Sequence, residues 1–215
     1  MTTTDAHAES PILLAGAPLD GAACALLLVH GRGATAESIL ELGEEVADET
    51  IALVAPQASG NTWYPLSFLS PLELNEPFLS SALRRVETTL ERISAAGIPA
   101  ERTVLGGFSQ GACLVAEFVT RHPRRYGGIA IFSGGVIGPL GMARDDRGDL
   151  AGTPVLVGSS DVDPHVPKER VEESAEIFRR LGGEVTLRLY PGMPHTINSD
   201  EITRFRQMVD ALAGG

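Results

Sequence analysis

The chain has 215 residues, 43% of them apolar and 21% charged, which suits one folded domain with a sizeable core. Its formal net charge is -11. A basic footprint for nucleic acid is therefore lacking, and no apolar run is long enough for membrane insertion.

Residues 1–10 are polar and acidic, without the basic start and apolar stretch of a signal peptide. They predict a flexible tail, and a cytoplasmic location is the expectation. Residues 11–15 can add an edge strand, and the apolar run 24–30 (CALLLVH) reads as a buried strand. Ala36, Ile39, Leu40, Gly43 and Ala47 then share one helical face, with Thr35 as its N-cap. A second strand is predicted at 51–55. Pro77 can open the next helix, whose stripe is Leu79, Leu83, Val86, Leu90 and Ile93, and Gly97 ends it.

Strands are predicted again at 103–108, 128–133, 154–158 and 185–190. Between them, 110–121 reads as a deeply packed helix and Val171, Ala175, Phe178 and Leu181 mark another. Ser199 can cap a last helix that turns Ile202, Phe205, Val209 and Leu212 inward. Near-continuous apolar strands alternating with amphipathic helices predict a three-layer α/β/α sandwich on a mostly parallel sheet. The stretches 56–76 and 134–152 fit no element. Both follow strands at the edge where open α/β sheets place ligands.

Chemistry concentrates at three of these strand ends. Gly107-Phe108-Ser109-Gln110-Gly111 matches G-x-S-x-G, a weak signal alone. Here it follows a strand and opens a helix, the context a nucleophile elbow needs. The tight turn demands residues without side chains around the serine and aims the helix N-terminus at the reacting centre. A serine nucleophile needs a base, and the base needs an orienting acid. In α/β-hydrolases these follow in the order Ser, Asp or Glu, His. Asp163 lies beyond the strand 154–158, and His195 lies in the turn-rich loop after 185–190. His165 competes for the base, but it would share a loop with the acid. Asp161 competes for the acid, and the Asp163-Pro164 step favours Asp163 because proline stiffens the turn. His122 suits a helix C-terminus, and His7 falls in the tail.

His30-Gly31-Arg32-Gly33 follows the first strong strand, where glycine lets backbone approach a substrate. Oxyanion donors in this fold come from that loop and from the residue after the nucleophile, which nominates the amides of Arg32 and Gln110. The Arg32 side chain can face the pocket and hold an anionic group, or lie solvated. Trp63, Tyr64, Phe68 and Leu69, with Leu72, concentrate apolar area in 56–76. With His30 and Gly31 they are the candidate substrate-binding residues, although the aromatic set can equally pin the loop to the core. Cys24 and Cys113 read as small core residues rather than a disulfide.

On LLVHGRG (27–33), GGFSQGACLV (106–115), SSDVDPHVP (159–167) and YPGMPHTI (190–197), the chain resembles the phospholipase/carboxylesterase family. That group includes acyl-protein thioesterases and small bacterial carboxylesterases. The resemblance implies one α/β-hydrolase domain over 1–215 with a minimal lid. It implies cofactor-free hydrolysis of esters or thioesters by Ser109, Asp163 and His195, with oxyanion donors at Arg32 and Gln110. The chain departs from the usual pattern at Arg32, where relatives are often apolar or small, and at Pro194, where they often carry Gly. Its 61–77 stretch is more similar to a bacterial esterase subgroup. A serine carboxylesterase acting on small-molecule esters is the expected function, and a homodimer is compatible with apolar surface near the lid. An acyl-protein thioesterase or lysophospholipase, and a non-catalytic ligand-binding domain, are the alternatives. A dienelactone hydrolase is disfavoured because that family uses Cys where position 109 is Ser.

Overall fold

A computed structural model describes residues 5–214. Seven strands form one sheet: β1 (Ile12–Gly16), β2 (Cys24–Val29), β3 (Ile51–Pro56), β4 (Thr103–Phe108), β5 (Gly128–Phe132), β6 (Pro154–Ser160) and β7 (Glu184–Tyr190). Their spatial order is β1-β3-β2-β4-β5-β6-β7. Among the described residues only β1 runs antiparallel, against β3; the other pairs are parallel. The helices are α1 (Ala36–Val46), α2 (Phe78–Ala95), α3 (Gln110–Arg121), α4 (Lys168–Arg180) and α5 (Ser199–Ala213).

The strand pattern explains the three layers. Along β2, Leu27 and Val29 join the core under α2, α3 and α4, while Leu26 and Leu28 join a second core under α1 and α5. Side chains alternate across a strand, so a strand apolar at every position must be covered on both faces. Thr35 caps α1 as expected, in a capping box with Ser38. The cap of α5 is one residue earlier than expected: Asn198 holds that position in a box with Glu201, and Ser199 is the first helical residue. Pro77 likewise sits at the N-cap of α2 rather than inside its first turn. Helix α3 is buried at every position from Gln110 to Thr120.

Of the flexible tail expected over 1–10, residues 5–10 pack against the fold, and residues 1–4 lie outside the described residues. His7 is buried. Its backbone N–H donates to Ser81 Oγ at 3.0 Å, and its Nδ1 accepts from the Ser59 amide at 3.1 Å. The ring proton therefore sits on Nε2, which donates to the Trp63 carbonyl at 2.9 Å. Asp5 pairs with Arg84 at 3.0 Å. A polar segment orders here through partners more than 50 positions away, which local patterning does not reveal.

The two unassigned stretches are held by polar anchors. The first carries only short 3₁₀ turns at Ser59–Asn61 and Leu72–Asn75. The second is organised by Glu117, buried on α3, which accepts from Ile137 N at 3.1 Å, Arg144 Nη1 at 3.0 Å and Arg121 Nε at 2.7 Å. The stretches meet where Gly138 N donates to the Phe68 carbonyl at 2.7 Å. Among the described residues, no helix is long and apolar enough to cross a membrane.

Candidate active site

Ser109 joins β4 to α3 with φ 56° and ψ -120°, a backbone conformation that costs about 1–3 kcal/mol for a residue with a side chain. Its neighbours explain how the turn closes. A Cβ on Gly107 would stand 2.6 Å from the Gly111 carbonyl carbon, and one on Gly111 only 2.1 Å from the Val29 carbonyl oxygen. Helix α3 thus starts against the end of β2, and its first residue, Gln110, faces the same corner as Ser109.

The loop after β7 brings His195 to Ser109, with Nε2 to Oγ at 2.9 Å. The loop after β6 brings Asp163, whose Oδ2 lies 2.6 Å from His195 Nδ1. The Asp163 side chain has no solvent exposure. Its Oδ1 accepts from the amides of His165 at 2.8 Å and Val166 at 3.0 Å. Both carboxylate oxygens are therefore satisfied, and Oδ2 orients the imidazole. Asp161, the competing acid, instead accepts from Gly192 N at 2.8 Å and ties the two loops together. His165, the competing base, packs edge-on against His195 with ring centroids 4.9 Å apart. Phe108 covers His195 from another side at 4.9 Å.

A cavity of about 540 Å³ opens over these groups. Gly31, Tyr64 and Phe68 line it, as do Arg32, Gln110, Ser109 and His195. Three of the expected substrate-binding residues, His30, Trp63 and Leu69, do not line this cavity. His30 is fully buried; its Nδ1–H donates to the Gly31 carbonyl at 2.8 Å and its Nε2 accepts from Ala58 N at 3.1 Å. Burial holds its pKa below the usual histidine value, so the ring stays neutral. Trp63 is also fully buried and donates from Nε1 to the His30 carbonyl at 2.9 Å. Leu69 packs half-buried on the core. Mixed polar–aromatic loops have no periodicity to tell a wall residue from the one behind it.

Several contributors escape the sequence reading. The Gln110 side chain accepts from Trp63 N at 3.0 Å and donates to the Tyr64 carbonyl at 2.8 Å, fastening the cavity wall to the helix that carries the serine. Arg32 donates from Nη1 to the Pro65 carbonyl at 2.9 Å and from Nη2 to the Leu66 carbonyl at 2.7 Å. Cys113 is a core residue as expected, but it also reaches the cavity; burial pushes its thiol up to about 12, so it stays protonated. The Arg32 and Gln110 amides donate to no other protein group among the described residues. Gly31 lies against Ser109, with room for only a 3.4 Å approach of an added Cβ to the Ser109 Cβ.

Glu201 supports the His195 loop from below. Its Oε2 accepts from Asn198 N at 2.9 Å, three residues past His195, and its own amide donates to Asn198 Oδ1 at 3.0 Å. Oε1 is buried without a hydrogen-bond partner among the described residues, in space left by Gly158. Burial raises the carboxyl to about 7 from an ordinary 4.5. A raised folded-state value means that the protonated form favours the fold. This contribution is full below the unfolded value and lost as pH rises through the folded one. Glu201→Gln should therefore gain about 2–3 kcal/mol relative to the parent between about pH 5 and about pH 8. Urea unfolding of both proteins at the two pH values measures it; a pH-independent difference would refute the assignment.

A serine, carboxylate and imidazole beyond the ends of β4, β6 and β7 in a mostly parallel sheet define an α/β-hydrolase arrangement. The family model for phospholipase/carboxylesterase matches residues 16–213, and the chain belongs to that family. A phospholipase/carboxylesterase structure from Dyadobacter fermentans is 43% identical with a TM-score of 0.90, covering 94% of this chain and 96% of that one. Among curated proteins, a probable carboxylesterase, SOBER1-like, from Arabidopsis thaliana is 29% identical over 64% of this chain and 52% of its own length. Acyl-protein thioesterase 1 of Saccharomyces cerevisiae is 31% identical over 60% of this chain and 57% of its own. The chain thus spans about half the length of the curated relatives it matches.

Proposed function

We propose that the chain is a serine carboxylesterase that hydrolyses small carboxylic esters through an acyl-enzyme. The observation that carries this reading is the hydrogen-bonded line from Ser109 Oγ through His195 to the buried Asp163 carboxylate, at the floor of an open cavity. Ser109 attacks the ester carbonyl while His195 Nε2 takes its proton. The amides of Arg32 and Gln110 receive the developing oxyanion, aided by the positive end of α3. His195 returns the proton to the departing alcohol. It then takes a proton from water, whose attack on the acyl-serine releases the acid as His195 passes that proton back to Ser109 Oγ. Asp163 keeps the Nδ1 proton in place and stabilises the imidazolium.

The cavity volume falls within the range of small-molecule sites, roughly 300–1,000 Å³. The name of the yeast relative favours a second reading, thioester hydrolysis on an acylated protein. A fluorophosphonate probe should add one covalent mass to Ser109, and a Ser109→Ala chain should take none. Esters and thioesters of increasing acyl length then separate the two readings. Absence of labelling on a folded chain would leave a non-catalytic domain as the remaining description.

A further inference from the structure

The cavity carries an unusual charge pattern for so acidic a chain. Asp and Glu outnumber Lys and Arg by 28 to 17, yet no Asp or Glu lines it among the described residues. Its ionisable side chains, besides His195, are basic or neutral: Arg32, His165, and the protonated Cys113 and Tyr64.

Arg32 is poised rather than loose. Two of its N–H groups are spent on the carbonyls of Pro65 and Leu66, both of which also line the cavity. A guanidinium has five N–H donors, so three remain beyond these two bonds. No carboxylate pairs with Arg32 among the described residues. The two carbonyl bonds fix the planar fork at the rim, which lowers the entropy lost when it grips an anion. His165 stands beside the base, its amide held by Asp163 and its ring against His195. The nearby acids do not neutralise this rim. Asp163 is fully engaged with His195 and two amides, and Glu37, in the first turn of α1, does not line the cavity.

We infer that the preferred substrates are short esters bearing a second, ionised acid group, held at the rim by Arg32 and His165. This rests on the esterase reading above and narrows its substrate class. A local basic rim in an otherwise repelling acidic surface concentrates such an anion where it can react and favours it over a neutral ester of the same shape.

Two isosteric pairs test it. Methyl hydrogen succinate against methyl levulinate places the charge on the acyl side. Acetoxyacetate against acetoxyacetamide places it on the alcohol side. In at least one pair the anionic member should show about tenfold higher kcat/KM, and the responding pair identifies the side that faces Arg32. That ratio should fall several-fold in Arg32→Gln and be only partly retained in Arg32→Lys, which keeps the charge without the planar fork, and His165→Asn should lower it independently. Taking the ratio within each variant cancels any loss common to both esters. Equal kcat/KM in both pairs would overturn the inference while leaving the esterase reading intact. So would a preference that survives both Arg32→Gln and His165→Asn. Failure to hydrolyse any of the four esters, with Ser109 unlabelled by fluorophosphonate, would remove the esterase reading and this inference with it.

Discussion

Asp163→Asn should lower kcat by about four orders of magnitude while leaving the fold intact. The substitution keeps size and shape, so the loop after β6 can stay where it is. Position Oδ1 accepts from two backbone amides, and an asparagine must place its single oxygen there. Its NH₂ then faces His195 Nδ1, at a site now 2.6 Å from a carboxylate oxygen. A donor there forces Nδ1 to become an acceptor and moves the ring proton to Nε2. That nitrogen then points a hydrogen at Ser109 and can no longer take the hydroxyl proton. The loss therefore belongs in kcat, with KM and the melting temperature changed little. Steady-state kinetics beside a thermal melt decide it, and a loss below about tenfold would mean that Asp163 does not set the tautomer.

Gly111→Ala has the largest expected effect on stability, a loss of more than about 4 kcal/mol that leaves little folded protein. The new methyl would stand 2.1 Å from the Val29 carbonyl oxygen, 2.5 Å from its carbon and 2.6 Å from the His30 carbonyl oxygen. All three are backbone atoms at the end of a central strand, so no rotamer change relieves the clash. Relief requires α3 to retreat from β2, which drags Ser109 and the Gln110 amide away from Arg32. Gly21→Ala is the control, because a Cβ there meets nothing within 4 Å. Comparable soluble yield and melting temperature for the two variants would show that this helix–strand contact does not set the stability.

The same clash shows why the elbow is legible in the sequence. A residue type that only a steric need explains, at fixed offsets around a serine, carries its structural reason in the sequence. The alternation of apolar runs and amphipathic stripes is equally local, and it recovered the layered sheet and all five long helices. The order Ser109, Asp163, His195 added the assignment of loops to strand ends, since each of the three follows a predicted strand. The small errors at the starts of α2 and α5 are one-residue shifts in caps, where Pro77 and Ser199 are acceptable locally and the hydrogen bonds choose.

What stayed hidden depends on partners remote in the chain. The Asp163-Pro164 step favours Asp163 over Asp161 as partner of the imidazole, but that Asp161 instead ties down Gly192 follows only from the packing of the β7 loop. Trp63 and Tyr64 are adjacent aromatics, and which of them becomes wall or scaffold depends on where the His30 carbonyl lies. His7 reads as tail because its bonds reach Ser59, Trp63 and Ser81. The sequence by itself thus determined the sheet, the Gly-flanked turn at Ser109 and the strand ends that carry Ser109, Asp163 and His195, because steric need and periodicity are short-range. The tertiary structure decided what Asp161 holds, which loop side chains face the cavity, and where Arg32 points, because those depend on hydrogen bonds closed across the fold.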